Sequence, residues 1–368
     1  MPIYMDRHDI SDDVTAAQVA ELHQQDLKIE HQFCCRGMTY WFDPQRSTAF
    51  CLIEAPDVSA VIAMHNHAHG QVPNRIIEVS PALVEAFLGR IEDPEKTGAG
   101  ALSVIDEPAF RIFMLVALQP SSTVQRISER AARQLEQFRQ TVHNIFLSSG
   151  GKLVRQNDHR LIISFTSVAN AVQSAFEIQS QFQKNKTRLG DGAALKIGLS
   201  AGEPVTDKPA LFEDAIRLVE RICRIVEGEI ILSPEVKELY DNEKPSGLPN
   251  QKKARCLTPM DQKFLTSLMD FTESTWKNAD FKVDDFEKPI GCSKSQFYRK
   301  MISLTGKSPN SFLKEYRLNE ALSLLNKHTR NVSEVAFETG FNSPSYFSKC
   351  FQQQYGRLPS DYLAELAD

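Results

Sequence analysis

A pattern that occurs twice, fifty residues apart, sets the strongest limit on how this chain folds: Phe297-x-Arg299-x-Met301-x4-Gly306-x2-Pro309 returns as Phe347-x-Lys349-x-Phe351-x4-Gly356-x2-Pro359. Apolar residues four apart share one helix face, and the glycine and proline that follow end the helix. Each copy is preceded by a turn glycine, Gly291 or Gly340, and before that by a short amphipathic stretch. Short helix, turn and second helix make a helix-turn-helix, and the sequence implies two of them.

In the first unit Ser293 and Gln296 form a capping box, and Phe297, Met301 and Leu304 form the buried stripe. Lys294, Ser295, Tyr298 and Arg299 are then left facing outward. In the second unit Asn331 and Glu334 cap the short helix, Phe347 and Phe351 point inward, and Asn342, Ser343, Ser345, Ser348 and Lys349 remain outside. Polar side chains at the start of such a helix are what reading a DNA major groove requires, because that end enters the groove and its amides favour phosphate. A long helix over about residues 309–327 would hold the two reading helices apart. Net charge over the whole chain is −5, yet residues 288–357 carry eleven Lys/Arg against four Asp/Glu, a local footprint suited to phosphates.

The 368 residues are enough for two or three domains. Turn-rich stretches at 92–100 and 241–253 read as linkers. Before the first, strand patterns at 3–7, 38–42, 49–54 and 75–79 alternate with helical ones at 15–30 and 58–69, the β-α-β-β-α-β order of a ferredoxin-like sandwich. Strands at 111–118, 161–165, 195–201 and 229–232, with helices at 122–146, 167–183 and 211–226, make a second α/β sandwich. The expected architecture is multidomain: two α/β ferredoxin-like sandwich domains (1–95 and 109–242), linkers at 96–108 and 243–258, then an all-α double helix-turn-helix domain over 259–368. The longest apolar run, 112–118, has seven residues, against the roughly 18 a spanning helix needs, so no membrane partner is expected. The charged start lacks the apolar stretch of a secretory leader, and seven scattered cysteines contain no C-x-x-C. A cytoplasmic protein is expected.

Residues of about 261–363 resemble the DNA-binding domain of AraC/XylS-type transcription regulators, through Ser293-Lys-Ser-Gln-Phe-Tyr-Arg-Lys, Leu304-Thr-Gly-Lys-Ser-Pro-Asn, Arg317-Leu-Asn-Glu-Ala-Leu-Ser-Leu-Leu and Val335-Ala-Phe-Glu-Thr-Gly-Phe-Asn-Ser-Pro-Ser-Tyr-Phe-Ser-Lys-Cys-Phe. The resemblance implies double-stranded DNA as partner, a homodimer, a small-molecule or metal effector and, for an activator, contact with RNA polymerase. Glu287 and Pro289 depart from the family pattern and point to a looser first unit.

Residues of about 109–240 resemble class III nucleotide cyclases, through Pro108-Ala-Phe-Arg-Ile-Phe-Met, Ala171-Val-Gln-Ser-Ala-Phe-Glu-Ile-Gln, Lys196-Ile-Gly-Leu-Ser-Ala-Gly-Glu-Pro and Ala215-Ile-Arg-Leu-Val-Glu-Arg-Ile-Cys. Such enzymes hold two metal ions with a pair of aspartates. Carried onto this chain, those positions hold Ala117 and His159, with Asp158 beside the latter, and the transition-state asparagine position holds Arg217, although Arg221 matches the family's arginine. A catalytically inactive domain kept for dimerisation or sensing is expected, not an enzyme.

Six of the nine histidines lie in the first 69 residues. His65 and His69, four apart on one helix, share a face and can chelate a borderline metal. Residues of about 2–91 are similar to small ferredoxin-like proteins described as nickel-binding, through Tyr40-Trp-Phe-Asp, Thr48-Ala-Phe-Cys-Leu-Ile-Glu-Ala-Pro-Asp, His65-x-x-x-His69-Gly and Ile76-Ile-Glu-Val. That resemblance implies a transition metal such as nickel at His65 and His69, with His8 and His23 as further candidates. The function expected is sequence-specific transcription regulation. The alternatives are an active cyclase with an attached DNA-binding domain, and a metal-binding protein for which DNA is secondary.

Overall fold

The computed structural model describes residues 1–94, 104–119, 129–157, 159–189, 193–226, 228–244, 247–249, 253–327 and 331–367. Two sheet-containing units are followed by an all-helical one.

The first unit runs β1 (Ile3–Asp9), α1 (Ala16–Ile29), β2 (Arg36–Asp43), β3 (Thr48–Glu54), α2 (Val58–Ala68), β4 (Arg75–Val79) and α3 (Pro81–Leu88). Its sheet is antiparallel, in the order β2-β3-β1-β4. A capping box between Thr15 and Gln18 starts α1. Side chains alternate across each strand. Tyr4, Tyr40, Phe42, Cys51 and Ile53 pack under α1 and α2 with Val19, Ala20, Val61 and Met64. Met5, Trp41, Phe50 and Leu52 point to the other face.

That other face is not in solvent. The middle unit comprises β5 (Arg111–Gln119), α4 (Glu129–Ser148), β6 (Lys152–Asn157), β7 (Arg160–Phe165), α5 (Val168–Leu189), β8 (Ala194–Gly202), α6 (Glu213–Ile225), β9 (Ile230–Leu232), α7 (Pro234–Glu243) and β10 (Ala254–Cys256). Its sheet order is β10-β9-β8-β5-β7-β6. Along β5, Ile112, Met114, Val116 and Leu118 join the core beneath α4 and α5. Phe113, Leu115 and Ala117 join Met5, Trp41, Phe50 and Leu52 of the first unit. The two sheets thus bury their open faces against each other, with Phe113 edge-on to Phe87 and Phe212.

Both expected linkers differ from simple tethers where they are described. Ile105 is buried, its amide donating to the Tyr40 hydroxyl at 2.8 Å, and the Phe42 amide donates to the Glu107 carbonyl at 3.1 Å. Residues 254–256, inside the expected 243–258 linker, form an edge strand parallel to β9. Residues 95–103 and 120–128, including the expected start of the helix at 122, lie outside the described residues.

The helical unit comprises α8 (Pro259–Thr275), α9 (Glu287–Ile290), α10 (Lys294–Thr305), α11 (Pro309–Leu325), α12 (Val332–Glu338), α13 (Pro344–Tyr355) and α14 (Pro359–Ala367). Helix α9 has only four residues, following a 3-10 turn at Val283–Phe286, and contains Pro289. At the second turn Gly340 has φ 78°, and a Cβ there would come within 2.6 Å of the Trp276 carbonyl oxygen, so only glycine fits. The first half of this unit shares its core with the middle unit: Ile222, Ile225 and Ile231 pack with Phe264, Leu268, Phe297, Met301 and Tyr316. The second half has its own, around Leu318, Val335, Phe341, Phe347 and Phe351.

Candidate nucleic-acid interface and metal centre

The Ser293 hydroxyl accepts from the Gln296 amide, and the Gln296 side chain accepts from the Ser293 amide, which fixes where α10 begins. Phe297, Met301 and Leu304 are buried behind it, and Lys294, Ser295, Tyr298 and Arg299 are exposed. Lys294 lies 2.6 Å from Asp284, a solvent-exposed pair worth little. On α13 and in the two residues before it, Asn342, Ser345 and Lys349 are exposed, while Ser343 and Ser348 are half-buried. Ser343 is the N-cap, its hydroxyl accepting from the Tyr346 amide at 3.3 Å. Tyr346, 56% exposed, belongs to this outer face and was passed over in the sequence. The spacing Asn342, Tyr346, Lys349 (i, i+4, i+7) is the pattern that would have found it.

At the front end His65, on α2, is buried between two carboxylates: its Nε2 is 2.9 Å from Asp6 Oδ2, and its Nδ1 is 3.2 Å from Asp26 Oδ1. His69 Nε2 is 3.2 Å from the same Asp26 oxygen and 3.3 Å from His65 Nδ1. His8 Nε2 lies 3.5 Å from Asp6 Oδ1, which also accepts from the Cys51 amide at 2.9 Å. Burial opposes charge on His65, but the hydrogen bonds its ring N–H groups donate to Asp26 and Asp6 outweigh it and raise its pKa to about 10. Burial opposes ionisation of Asp6 in the same way, and the neighbouring imidazoles hold its carboxyl well below the usual range. Burial pushes the Cys51 thiol well up.

The structure therefore joins His65, His69 and His8, and adds Asp6, Asp26 and Cys51, which sequence reasoning missed. The motif Asp6-Arg7-His8 on one strand, with Asp6 and His8 on the same face, carried that signal. His23 goes elsewhere: its Nε2 is 3.2 Å from Asp93 and its ring lies against Tyr40. His67 packs against Phe33. Two buried atoms of the cluster, His8 Nε2 and Asp26 Oδ1, have only these ion-pair contacts and no hydrogen bond of good geometry among the described residues. Ligand atoms of Asp6, His8, Cys51 and His65, and of Asp26, His65 and His69, form two groups, each within 4.8 Å of one another. Converging imidazole and carboxylate donors of this kind fit a borderline divalent ion, once His65 gives up its proton.

Residues 4–79 match the family of the nickel responsive protein SCO4226-like, and residues 288–365 match the helix-turn-helix domain family. The C-terminal unit is an AraC-type helix-turn-helix domain. A stretch of 106 residues is 34% identical to histidine kinase P4 of Formosa agariphila, covering 29% of this chain and 8% of that one. A stretch of 101 residues is 32% identical to the HTH-type transcriptional regulator MtrA of Neisseria gonorrhoeae, covering 27% of this chain and 32% of that protein. The chain thus spans about a third or less of these curated relatives. A bacterial light-regulated adenylyl cyclase superposes at 11% identity with a TM-score of 0.30, over 65% of this chain and 87% of that one.

The AraC-type domain is tied to the middle unit by arginines of α6. Arg221, only 7% exposed, places Nη2 2.5 Å from Asp270 Oδ1 and 2.8 Å from Glu273 Oε2, both on α8. Arg217 reaches Glu273 at 3.0 Å and Glu213 at 3.4 Å. Arg224 reaches Glu320 of α11 at 2.7 Å and lies over the Tyr316 ring. Both arginines singled out by the cyclase resemblance thus serve as ion-pair partners. Ala117 is buried between the two sheets opposite Arg160 of β7, and His159 is exposed, its amide donating to Asn157 at 3.1 Å. Asp158 lies outside the described residues. Among the described residues no helix is long and apolar enough to cross a membrane.

Proposed function

We propose that this chain is a sequence-specific DNA-binding regulator of transcription whose two preceding domains sense an effector. The observation that carries the reading is the pair of reading helices, α10 and α13, each with a buried apolar stripe behind an exposed polar N-terminal face. DNA contacts are assigned to Lys294, Ser295, Tyr298 and Arg299 in one major groove and to Asn342, Ser343, Ser345, Ser348 and Lys349 in the next. Tyr346 joins the second group.

Domains 1–95 and 109–242 are read as ferredoxin-like sandwiches, with the DNA-binding domain over 259–368. His65 and His69 hold a transition metal such as nickel, helped by Asp6, Asp26 and His8, and the metal supplies a charge that draws these donors together. The middle domain is read as non-enzymatic, because Ala117 supplies no metal ligand where a cyclase needs a carboxylate. The protein works in the cytoplasm as a homodimer, meeting RNA polymerase if it activates.

Fluorescence anisotropy with DNA sites recovered by genomic footprinting tests the reading. Specific binding should be at least about 10³-fold tighter than binding to unrelated DNA. Equal affinity for both would remove the regulator reading and leave a metal-binding protein as the alternative.

A further inference from the structure

A cavity of about 690 Å³ opens where all three units meet. Arg7 comes from β1 and Arg46 from the turn between β2 and β3, Glu203 and Arg217 from the middle unit, and Gln262 and Asp270 from α8. The volume falls within the roughly 300–1,000 Å³ of small-molecule sites, which favour domain interfaces.

Four acids, Glu203, Asp214, Glu235 and Asp270, line the walls beside Arg7, Arg46, Lys208, Arg217 and Arg221, and two of the four are held by neighbours. Glu203 accepts from Arg7 at 2.6 Å and from the Thr48 hydroxyl at 3.2 Å, and Asp270 accepts from Arg221 at 2.5 Å. The guanidinium groups have donors to spare, since each carries five N–H bonds. Arg46 gives Nη1 to Asp43 at 3.0 Å, and Arg217, with 39% of its side chain exposed, gives Nη1 to Glu213 and Nη2 to Glu273. On the α8 wall Gln262 Oε1 is buried without a hydrogen-bond partner among the described residues. It is an acceptor that an occupant bearing a donor would satisfy. Burial also holds the Glu235 carboxyl above its ordinary range.

We propose that this junction cavity binds a small organic anion, carrying a carboxylate or phosphate together with a hydroxyl or amine, and that the bound anion alters how the DNA-binding domain is held. Arg217 is the shared element. An anion that engages it competes with Glu273, and the α6–α8 contact is left to Arg221 on that edge. The inference rests on the regulator reading for its consequence but not for the binding itself.

Calorimetry on the full chain, at ionic strength held constant with sodium chloride, uses inorganic phosphate and citrate as probes. At least one should saturate, and which one does separates a phosphate-bearing from a carboxylate-bearing ligand. Arg217→Gln and Arg46→Gln should each raise its Kd about tenfold or more, equivalent to about 1.4 kcal/mol. Saturation by neither probe overturns the proposal. Binding unchanged in both variants also overturns it, because the anion then sits elsewhere, as on the basic reading helices. Anisotropy with operator DNA on the same wild-type sample keeps the two readings apart: lost DNA binding with intact, Arg217-dependent anion binding sinks the regulator and spares the cavity.

Discussion

Replacing Arg221 with alanine should weaken the joint between the middle domain and the DNA-binding domain without touching either reading helix. Removing one partner of a fully buried ion pair costs about 3–5 kcal/mol, whereas an exposed pair is worth about 0–1 kcal/mol. Here the guanidinium is buried, but the side chains of Asp270 and Glu273 are 56% and 33% exposed, so water solvates the carboxylates left behind. The cost should fall between those limits, at about 1–3 kcal/mol. Burial disfavours the Arg221 charge, yet Glu273 and Asp270 hold its pKa above the ordinary value, so the pair stays ionised at neutral pH. Urea unfolding read by tryptophan fluorescence in a Trp41→Phe background suits the measurement, because the remaining Trp276 is the C-cap of α8. A double-mutant cycle of Arg221→Ala with Asp270→Ala/Glu273→Ala isolates the pairing from lost packing. A coupling of about 1 kcal/mol or more is expected, and a value below about 0.3 kcal/mol, the usual error of additivity, would refute the idea that these ions hold the domains together.

For DNA, Arg299→Ala and Lys349→Ala should each weaken operator binding. A phosphate contact would lower the salt slope by about one unit, and a base contact would cost about 1–3 kcal/mol at one position. Incubation with ATP or GTP and Mn²⁺ should give no cyclic nucleotide above a heat-killed control, and any such product would reverse the reading of Ala117. For metal, His65→Ala/His69→Ala should abolish the calorimetric heat of Ni²⁺ binding to the full chain. Uptake by the wild type should release protons and strengthen as pH rises from 7 towards 10, since His65 is held as a cation up to about 10. Heats independent of buffer ionisation enthalpy would contradict this. In metal-free protein the raised His65 pKa stabilises the fold fully below about 6.5, the unperturbed value, and that contribution fades as pH climbs through about 10. The depressed Asp6 carboxyl stabilises above its unperturbed value and loses that effect in acid. His65→Gln should flatten the alkaline limb of a thermal-melt series.

The helical unit was the most legible part of the sequence, because capping boxes, turn glycines and a repeated apolar stripe all demand the same local geometry. The strands at the centre of each sheet were legible too, being apolar on one or both faces. The elements missed lack those cues. Strand β6, Lys152-Leu-Val-Arg-Gln-Asn157, is a polar edge without alternation, and β10 is three residues at the end of a turn-rich stretch. Helices α3 and α7 are short, each opened by a proline after serine. At the histidine cluster, local spacing found His65 and His69 because they share a helix. Asp6 and Asp26 are brought in by tertiary packing of β1 and α1, which no window along the chain contains.

The use of each sheet face decides what the first two domains are free to do. Met5, Trp41, Phe50 and Leu52 are covered by Phe113, Leu115 and Ala117 within one chain, so a homodimer through either open face would first have to separate the two domains. Any dimer must instead be built on other surfaces, and the sheets are left to connect the domains within the chain. Strand β1 illustrates the consequence. Asp6 and His8 lie on its helix-covered face in the histidine cluster, and Arg7, between them, lies on the opposite face, reaching Glu203 at 2.6 Å and the Val205 carbonyl at 3.2 Å across the interface. A strand puts successive side chains on opposite faces. One residue of backbone therefore separates the histidine–carboxylate cluster from the wall of the junction cavity, whose far side is α8 of the helical unit.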